Sequence, residues 1–406
     1  MNIAYCTRLI PHIPNLIERY PNNKFIISVD KYINGQISGI EQVTNKRVKV
    51  INIPEVPSYP RFPEMIMHKR IWHGKDKDSE NIDVGFINLP IVRQLIISRK
   101  VRKCLRQWIK ESSPENRVII TYSTNPMSMT PVIRIKKRYK DVKAVLVVGD
   151  LIGDKGIDIK RKGIFNTLLN HYYTKGARQI KRFDGYIFVS KYMAEELGVQ
   201  EKPNIVIEGV YDNEGDTYKI QDENNDESLK VVFHAGALER KYGVFNLIDA
   251  FSRIKNSDYR LWLAGASTES DRIKQYCVED SRIHYYGFIS PQQVQELQGR
   301  ATVIVNPRTN EGEYTKYSFP SKTMEGLASG KPFIGCRLKG IPCEYFEYIN
   351  VPEDERPESL MRKIVELCEL SKAERDRLGM KSREFITQEK SCRKQGIKIY
   401  EFLKTI

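Results

Sequence analysis

From residue 231 onward, short strand-like runs alternate with helical segments at a spacing that favours a doubly wound parallel sheet. Val231–Ala235, Arg260–Ala264, Ile283–Gly287, Thr302–Asn306 and Pro332–Gly335 read as strands. Helices are expected over Val244–Ile254 and Ser270–Glu279, and from Ser290, a capping residue, to Arg300. Runs of this kind fit parallel strands buried on both faces, with the helices packed against the sheet.

The first half is less regular. Its candidate strands are Lys24–Asp30, Val48–Pro54, Ile82–Asn88, Val118–Ser123, Ala144–Asp150, Tyr186–Ser190 and Ile205–Val210. Residues 55–80 are proline-rich and then charged, and read as a long loop. Residues 212–229 are polar, acidic and without periodicity, and read as a linker. A chain of 406 residues is too long for one comfortable core and suits two domains. The expected division is 1–211, the linker, 230–385, and a C-terminal helical segment 386–406 that can return to the first domain. The fold class is α/β, with two Rossmann-like doubly wound domains facing across a cleft. Ligands of open α/β sheets bind beyond the carboxyl ends of the strands, so the cleft is the expected site.

Charge divides the chain unequally. Residues 1–211 hold 36 Lys/Arg against 20 Asp/Glu, and the remainder holds 30 against 31. The basic half is expected to meet something anionic, such as a membrane surface or a phosphorylated acceptor. Pro90–Lys110 concentrates seven basic residues, with Ile91, Leu95, Val101, Leu105 and Trp108 interspersed at roughly helical spacing. That is the pattern of an interfacial helix, or of a helix whose apolar side faces the core. The segment 134–140 adds five more basic residues. There is no aromatic-basic RNA motif and no zinc-finger spacing, so nucleic acid is not an expected partner. The seven cysteines are scattered without a CxxC pair, which fits a reduced, cytoplasmic protein. No run of about 18–20 apolar residues is present.

The most informative segment is Asn306–Gly335, NPRTNEGEYTKYSFPSKTMEGLASGKPFIG. Ser318 is a suitable N-cap, Pro320 suits a first helical turn, and Gly330 before Pro332 is a stop signal. A helix of about three turns is expected, with Ser318, Ser321, Lys322 and Glu325 on one face and Met324, Leu327 and Ala328 on the other. Hydroxyls, free N–H groups and a lysine at a helix start suit a diphosphate. An acceptor-only carboxylate two turns along suits the two hydroxyls of a ribose. On spacing alone, a capped surface helix with a solvated Lys and Glu is an equal alternative.

These residues resemble the donor-binding region of the group-1 family of retaining glycosyltransferases, especially bacterial members that build capsular and exopolysaccharides. The resemblance extends through HAGALERKYGVFNLIDAFSRI (234–254), DGYIFVSKYMAEEL (184–197) and NIVIEGVYD (204–212). It implies the GT-B architecture, a nucleotide-sugar donor, retention of configuration, and neither a metal nor another cofactor. It implies donor binding by Gly236, Arg240, Lys241, Ser318, Pro320, Ser321, Lys322 and Glu325. Two departures stand out. The family pairs two glutamates eight positions apart, and Tyr317 occupies the first position; Glu311 and Glu313 are candidate substitutes. The family's phosphate-binding arginine and lysine align on Ala237 and Tyr242, which leaves Arg240 and Lys241 to supply the charge in a shifted register.

In the first half Asp150 ends a strand, where it can orient an acceptor hydroxyl or cap the following segment. Glu208 also ends a strand, with a structural role equally expected. His68, His73 and His171 read as surface or helix residues. The expected activity is sugar transfer from a nucleotide-sugar donor to a saccharide acceptor, lipid-linked, at the inner face of the cell membrane. The alternatives are a non-catalytic partner of another transferase and a nucleotide-sugar epimerase of the same fold.

Overall fold

The computed structural model describes residues 1–20, 27–74, 80–90, 92–151, 172–174, 176–213 and 228–406. The chain forms two compact units, Met1–Val210 with Cys392–Ile406, and Tyr211–Ser391. Most of the acidic stretch 212–229, as well as His171 and Ile91, lies outside the described residues.

The first unit is built on β1 (Asn2–Thr7), β2 (Lys49–Asn52), β3 (Ile66–Met67), β4 (Arg70–Trp72), β5 (Asn81–Asp83), β6 (Phe86–Ile87), β7 (Arg117–Tyr122), β8 (Val142–Val148), β9 (Gly185–Phe188) and β10 (Asn204–Val206). Eight of these form one sheet in the order β10-β9-β8-β7-β1-β2-β5-β4, parallel except for β4 at the edge. Strands β3 and β6 pair separately as a short antiparallel ribbon. Helices among the described residues of this part include α1 (Leu16–Arg19), α2 (Ile27–Thr44), α3 (Val92–Glu111), α4 (Pro126–Arg138) and α5 (Met193–Glu196). The central strands carry the buried Val and Ile runs expected of a parallel sheet, Val145 and Val147 among them.

Several expectations for this half are corrected. Residues 27–30 of the expected strand Lys24–Asp30 begin α2, because Ile33, Ile37 and Ile40 recur at helical spacing and bury one face. The N-terminal Asn2–Thr7, not anticipated as a strand, pairs with both β2 and β7 inside the sheet. The proline-rich 55–80 loop contains β3 and β4. On α3, Val101, Leu105 and Trp108 are buried in the unit, so the tryptophan and its stripe are core residues. Leu95 on the same helix is 60% exposed.

The second unit contains β11 (Lys230–Ala235), α6 (Val244–Ser252), β12 (Tyr259–Ala264), α7 (Ser270–Glu279), β13 (Ile283–Gly287), α8 (Pro291–Arg300), β14 (Val303–Asn306), α9 (Ser321–Ala328) and β15 (Phe333–Gly335). Helices α10 (Pro357–Cys368) and α11 (Lys372–Glu389) follow. The five strands are all parallel in the order β13-β12-β11-β14-β15. These elements match the alternation expected from residue 231 onward, and Ser290 makes a capping box with Gln293. The apolar faces pack as two layers, with Val244, Leu247, Ile248 and Phe251 on one side of the sheet and Met324, Leu327 and Phe385 on the other.

The last helix, α12 (Cys392–Lys404), crosses α2 in the first unit. The crossing is close enough that a Cβ on Gly39 would lie 2.0 Å from the Cys392 carbonyl oxygen, and one on Gly396 2.2 Å from that of Gly39. Glycine at both positions lets the helix backbones touch.

Candidate functional site

In the second unit the strand order reverses between β11 and β14, where open α/β sheets bind ligands. The ladder between these strands ends at Phe233↔Ile304. One residue on, His234 Nδ1 lies 2.8 Å from the Val305 carbonyl oxygen. Past β11 the chain turns at Gly236, whose N–H donates to Ala264 O at 2.9 Å. Gly265 backs this turn with φ 143°, and a Cβ there would sit 1.7 Å from Gly236 O. Both features exclude a side chain at Gly265. The atoms nearest to a Cβ built on Gly236 are those of the His234 ring at 3.7 Å and the Lys322 stem at 3.8 Å. His234 and Lys322 therefore flank the Gly236 turn.

Helix α9 opens beside this turn. Its N-cap is Pro320, which makes no side-chain cap bond. The first-turn N–H groups thus lack the side-chain acceptor that commonly satisfies them. Met324, Leu327 and Ala328 are buried while Ser321, Lys322 and Glu325 face outward, as the spacing predicts. Two details of the expected helix are corrected. It runs eight residues, nearer two turns than three, and Ser318 is not its cap. Ser318 closes a 3-10 turn over Glu313–Tyr317; its hydroxyl accepts from Arg308 Nη2 at 2.9 Å and donates to Tyr314 O at 3.1 Å. Lys322 Nζ pairs with Glu325 Oε2 at 2.6 Å, each side chain about one-third exposed or more (42% and 31%).

Arg308 is the residue that sequence reasoning missed. It follows β14, is only 8% exposed, and stacks between Tyr314 (4.8 Å) and Tyr242 (5.5 Å). Among the described residues its Nε has no hydrogen-bond partner. Burial lowers its pKa, an effect opposed by the two tyrosines. Tyr314 OH donates to Lys241 O at 2.9 Å and so ties the two loops together. The arginine stood inside the quoted segment, but only the fold reveals that it is buried between those rings.

The remaining expected residues fall elsewhere. Arg240 pairs with Glu269 at 3.2 Å and lies over the Phe245 ring at 5.0 Å. Lys241 is exposed, with Nζ over Tyr242. Glu311 and Glu313 are exposed, and Tyr317 is buried at 5% exposure.

In the first unit Asp150 lies two residues past β8, exposed at its surface yet close enough to protein that desolvation raises its carboxyl. The segment it would cap, 152–171, lies outside the described residues. Glu208 is buried, beyond the end of β10. The carboxyl ends of β1, β2 and β5 carry a network the sequence reading did not anticipate. The fully buried Asp83 accepts from His12 N (2.8 Å), Asn52 Nδ2 (3.0 Å) and Trp72 Nε1 (2.9 Å), and His12 Nδ1 lies 3.2 Å away. The His12 and Trp72 rings stack at 3.6 Å. Burial raises the Asp83 carboxyl, but hydrogen bonds from His12 and Asn52 outweigh it and the net shift is downward.

A group held below its ordinary range stabilises the fold above that range and ceases to do so as pH falls through the folded value. Asp83→Asn turns an amide NH2 toward donors, and we expect it to cost about 3 kcal/mol at neutral pH. Urea unfolding at pH 7 and in acid below the folded Asp83 value checks this: the variant's deficit should shrink in acid. An equal deficit at both values would exclude the charged carboxylate as the cause.

Residues 229–369 match the family described as "Glycosyl transferases group 1". No curated protein sequence matches the chain. Among solved structures, a glycosyltransferase from Rickettsia africae ESF-5 is similar with a TM-score of 0.64 and 14% identity, covering 100% of this chain and 98% of its own. The lipopolysaccharide outer core galactosyltransferase WaaB gives 0.62 and 16%, covering 100% and 99%. Anabaena HepE in complex with UDP gives 0.62 and 14%, covering 100% of both chains. The chain has the GT-B glycosyltransferase fold, and its second unit carries the segment that matches the group-1 glycosyltransferase family.

Proposed function

We propose that the protein transfers a sugar from a nucleotide-sugar donor to a saccharide acceptor with retention of configuration. One observation carries this reading: the Gly236 turn, the uncapped start of α9, Lys322 and Glu325 converge at the strand-order reversal of the unit that matches the family. The diphosphate would lie over Gly236 and the start of α9, whose N–H groups and dipole favour anions. The Lys322–Glu325 pair is partly exposed, so its worth is about 0–1 kcal/mol. Lys322 would then turn to the diphosphate and Glu325 to the ribose hydroxyls. Ser321 and Pro320 shape the helix start. Arg240 and Lys241 reach this site only by leaving their present partners.

Acceleration would come from holding the leaving diphosphate and orienting the acceptor, with the diphosphate taking the acceptor proton. Such chemistry requires no metal. Asp150 would orient the acceptor hydroxyl from the first unit. Tyr317 favours a second reading: the position of the family's first glutamate is filled by a core aromatic, as a non-catalytic relative would tolerate.

Thermal unfolding with UDP, GDP, ADP and CMP separates the two readings. One nucleotide should raise the midpoint, since ligand at about 100 Kd adds roughly 2.7 kcal/mol to the folded state. Glu325→Ala should abolish most of that gain. No shift with any nucleotide would favour the non-catalytic reading.

We further propose a lipid-linked acceptor at the cytoplasmic face of a bacterial membrane, in polysaccharide synthesis. No helix among the described residues is long and apolar enough to cross a membrane. The β3–β6 ribbon and the start of α3 expose Met65, Ile66, Ile87, Val92 and Leu95. Burial and the like charges of Arg134, Arg106 and Arg99 lower the Arg102 pKa, which marks a dense positive field. Each basic residue near an anionic leaflet adds about 1 kcal/mol. Vesicles containing phosphatidylglycerol should sediment the protein at low salt and release it at high salt, and Leu95→Glu should weaken binding. Equal binding to phosphatidylcholine vesicles, or none at low salt, would refute the membrane proposal.

A further inference from the structure

His234 occupies an unusual place for a histidine. It stands on β11 among apolar residues, Val232, Phe233 and Ala235, at the point where the ladder to β14 has ended. The side chain is 5% exposed. A carbonyl oxygen can only accept, so the contact of Nδ1 with Val305 O places the ring hydrogen on Nδ1. Nε2 then carries a lone pair, and among the described residues it has no hydrogen-bond partner. A Cβ on Gly236 would lie 3.8 Å from this nitrogen and 3.8 Å from Lys322 Cγ, so Nε2 lies beside the Gly236 turn. The ring stays neutral because burial, aided by Lys322, brings its pKa down to about 4 against the opposing Val305 bond. An acceptor buried without a partner is costly, and each such group calls for a physical explanation.

We propose that His234 Nε2 accepts a hydrogen bond from a sugar hydroxyl of the ligand held over Gly236, making His234 a specificity-determining residue. The inference rests on the donor-site reading above. Phosphate oxygens at neutral pH offer no hydrogen to a lone pair, whereas sugar hydroxyls do. That hydroxyl belongs either to the ribose or to the transferred sugar. Sites that hydrogen-bond a hydroxyl reject analogues lacking it, because the site's polar atom is then left unpaired.

Calorimetric titration of the unmodified protein, His234→Phe and His234→Gln tests this, with UDP and UDP-glucose, GDP and GDP-mannose, and ADP and ADP-glucose. For whichever pair binds, His234→Phe should weaken the nucleotide sugar about tenfold, the loss of one buried hydrogen bond. Gln can present an acceptor near the Nε2 position and should recover part of the loss. If the hydroxyl is on the transferred sugar, the free diphosphate is unaffected; if it is on the ribose, diphosphate and nucleotide sugar weaken alike. Either pattern supports the proposal. Unchanged affinities in both variants overturn it. So do equal losses in both variants that track a lowered unfolding midpoint without ligand, since those indicate a structural role. If the unmodified protein binds no probe, the donor-site reading fails first and the proposal falls with it.

Discussion

Two loops meet where β11 and β14 cease to pair, and the proposed donor site depends on how closely their backbones approach. Gly265 lies against the Gly236 carbonyl, and Gly243, with φ 81°, brings the start of α6 to where a Cβ would sit 2.1 Å from Pro307 O. Side chains at these positions would push the loops apart. Between the loops the guanidinium of Arg308 is held by Tyr242, Tyr314 and the Ser318 hydroxyl. Burying a cation is unfavourable unless it is compensated. Here two ring faces and one hydroxyl supply the compensation, while Nε is left without a partner among the described residues.

Around that rigid frame the charged groups are loosely committed. The Lys322–Glu325 pair is partly exposed and weak, and α9 begins without a side-chain cap. A helix start of this kind carries partial positive charge whether or not an anion is present. The frame is thus fixed by packing and glycine contacts, and the ion pair beside it is a weak one. The first unit shows the opposite arrangement at the ends of β1, β2 and β5. There Asp83 is fully buried and its acceptor positions are taken by His12, Asn52 and Trp72, a network that fixes its own geometry.

How much was legible in the sequence differs between the halves for physical reasons. From residue 231 onward short strand runs alternate regularly with helical segments, and the expected elements match those observed to within a residue or two. In the first half, β-branched residues at 26–29 suggested a strand, but the longer helical period of Ile33, Ile37 and Ile40 governs the structure. Trp108 and its stripe could face lipid or core, and periodicity cannot distinguish the two; the structure buries Val101, Leu105 and Trp108 in the core and leaves Leu95 exposed. The polar face of α9 was readable because its apolar face was already assigned. Ser318 was misplaced because a serine before a proline resembles a cap, whereas a 3-10 turn uses its hydroxyl for Arg308 instead. Arg308 and His234 carried no signal of their own: a buried cation and an unpartnered ring nitrogen are facts of packing, not of spacing.

Amide hydrogen exchange, with and without a saturating nucleoside diphosphate, tests the central claim most directly. That claim is that the turn after β11 and the start of α9 form one anion-binding site. The account predicts slowed exchange over residues 236–238 and 321–323, with the outer helix α7 unchanged. Protection that is absent from both segments, or confined to the first unit, would contradict it.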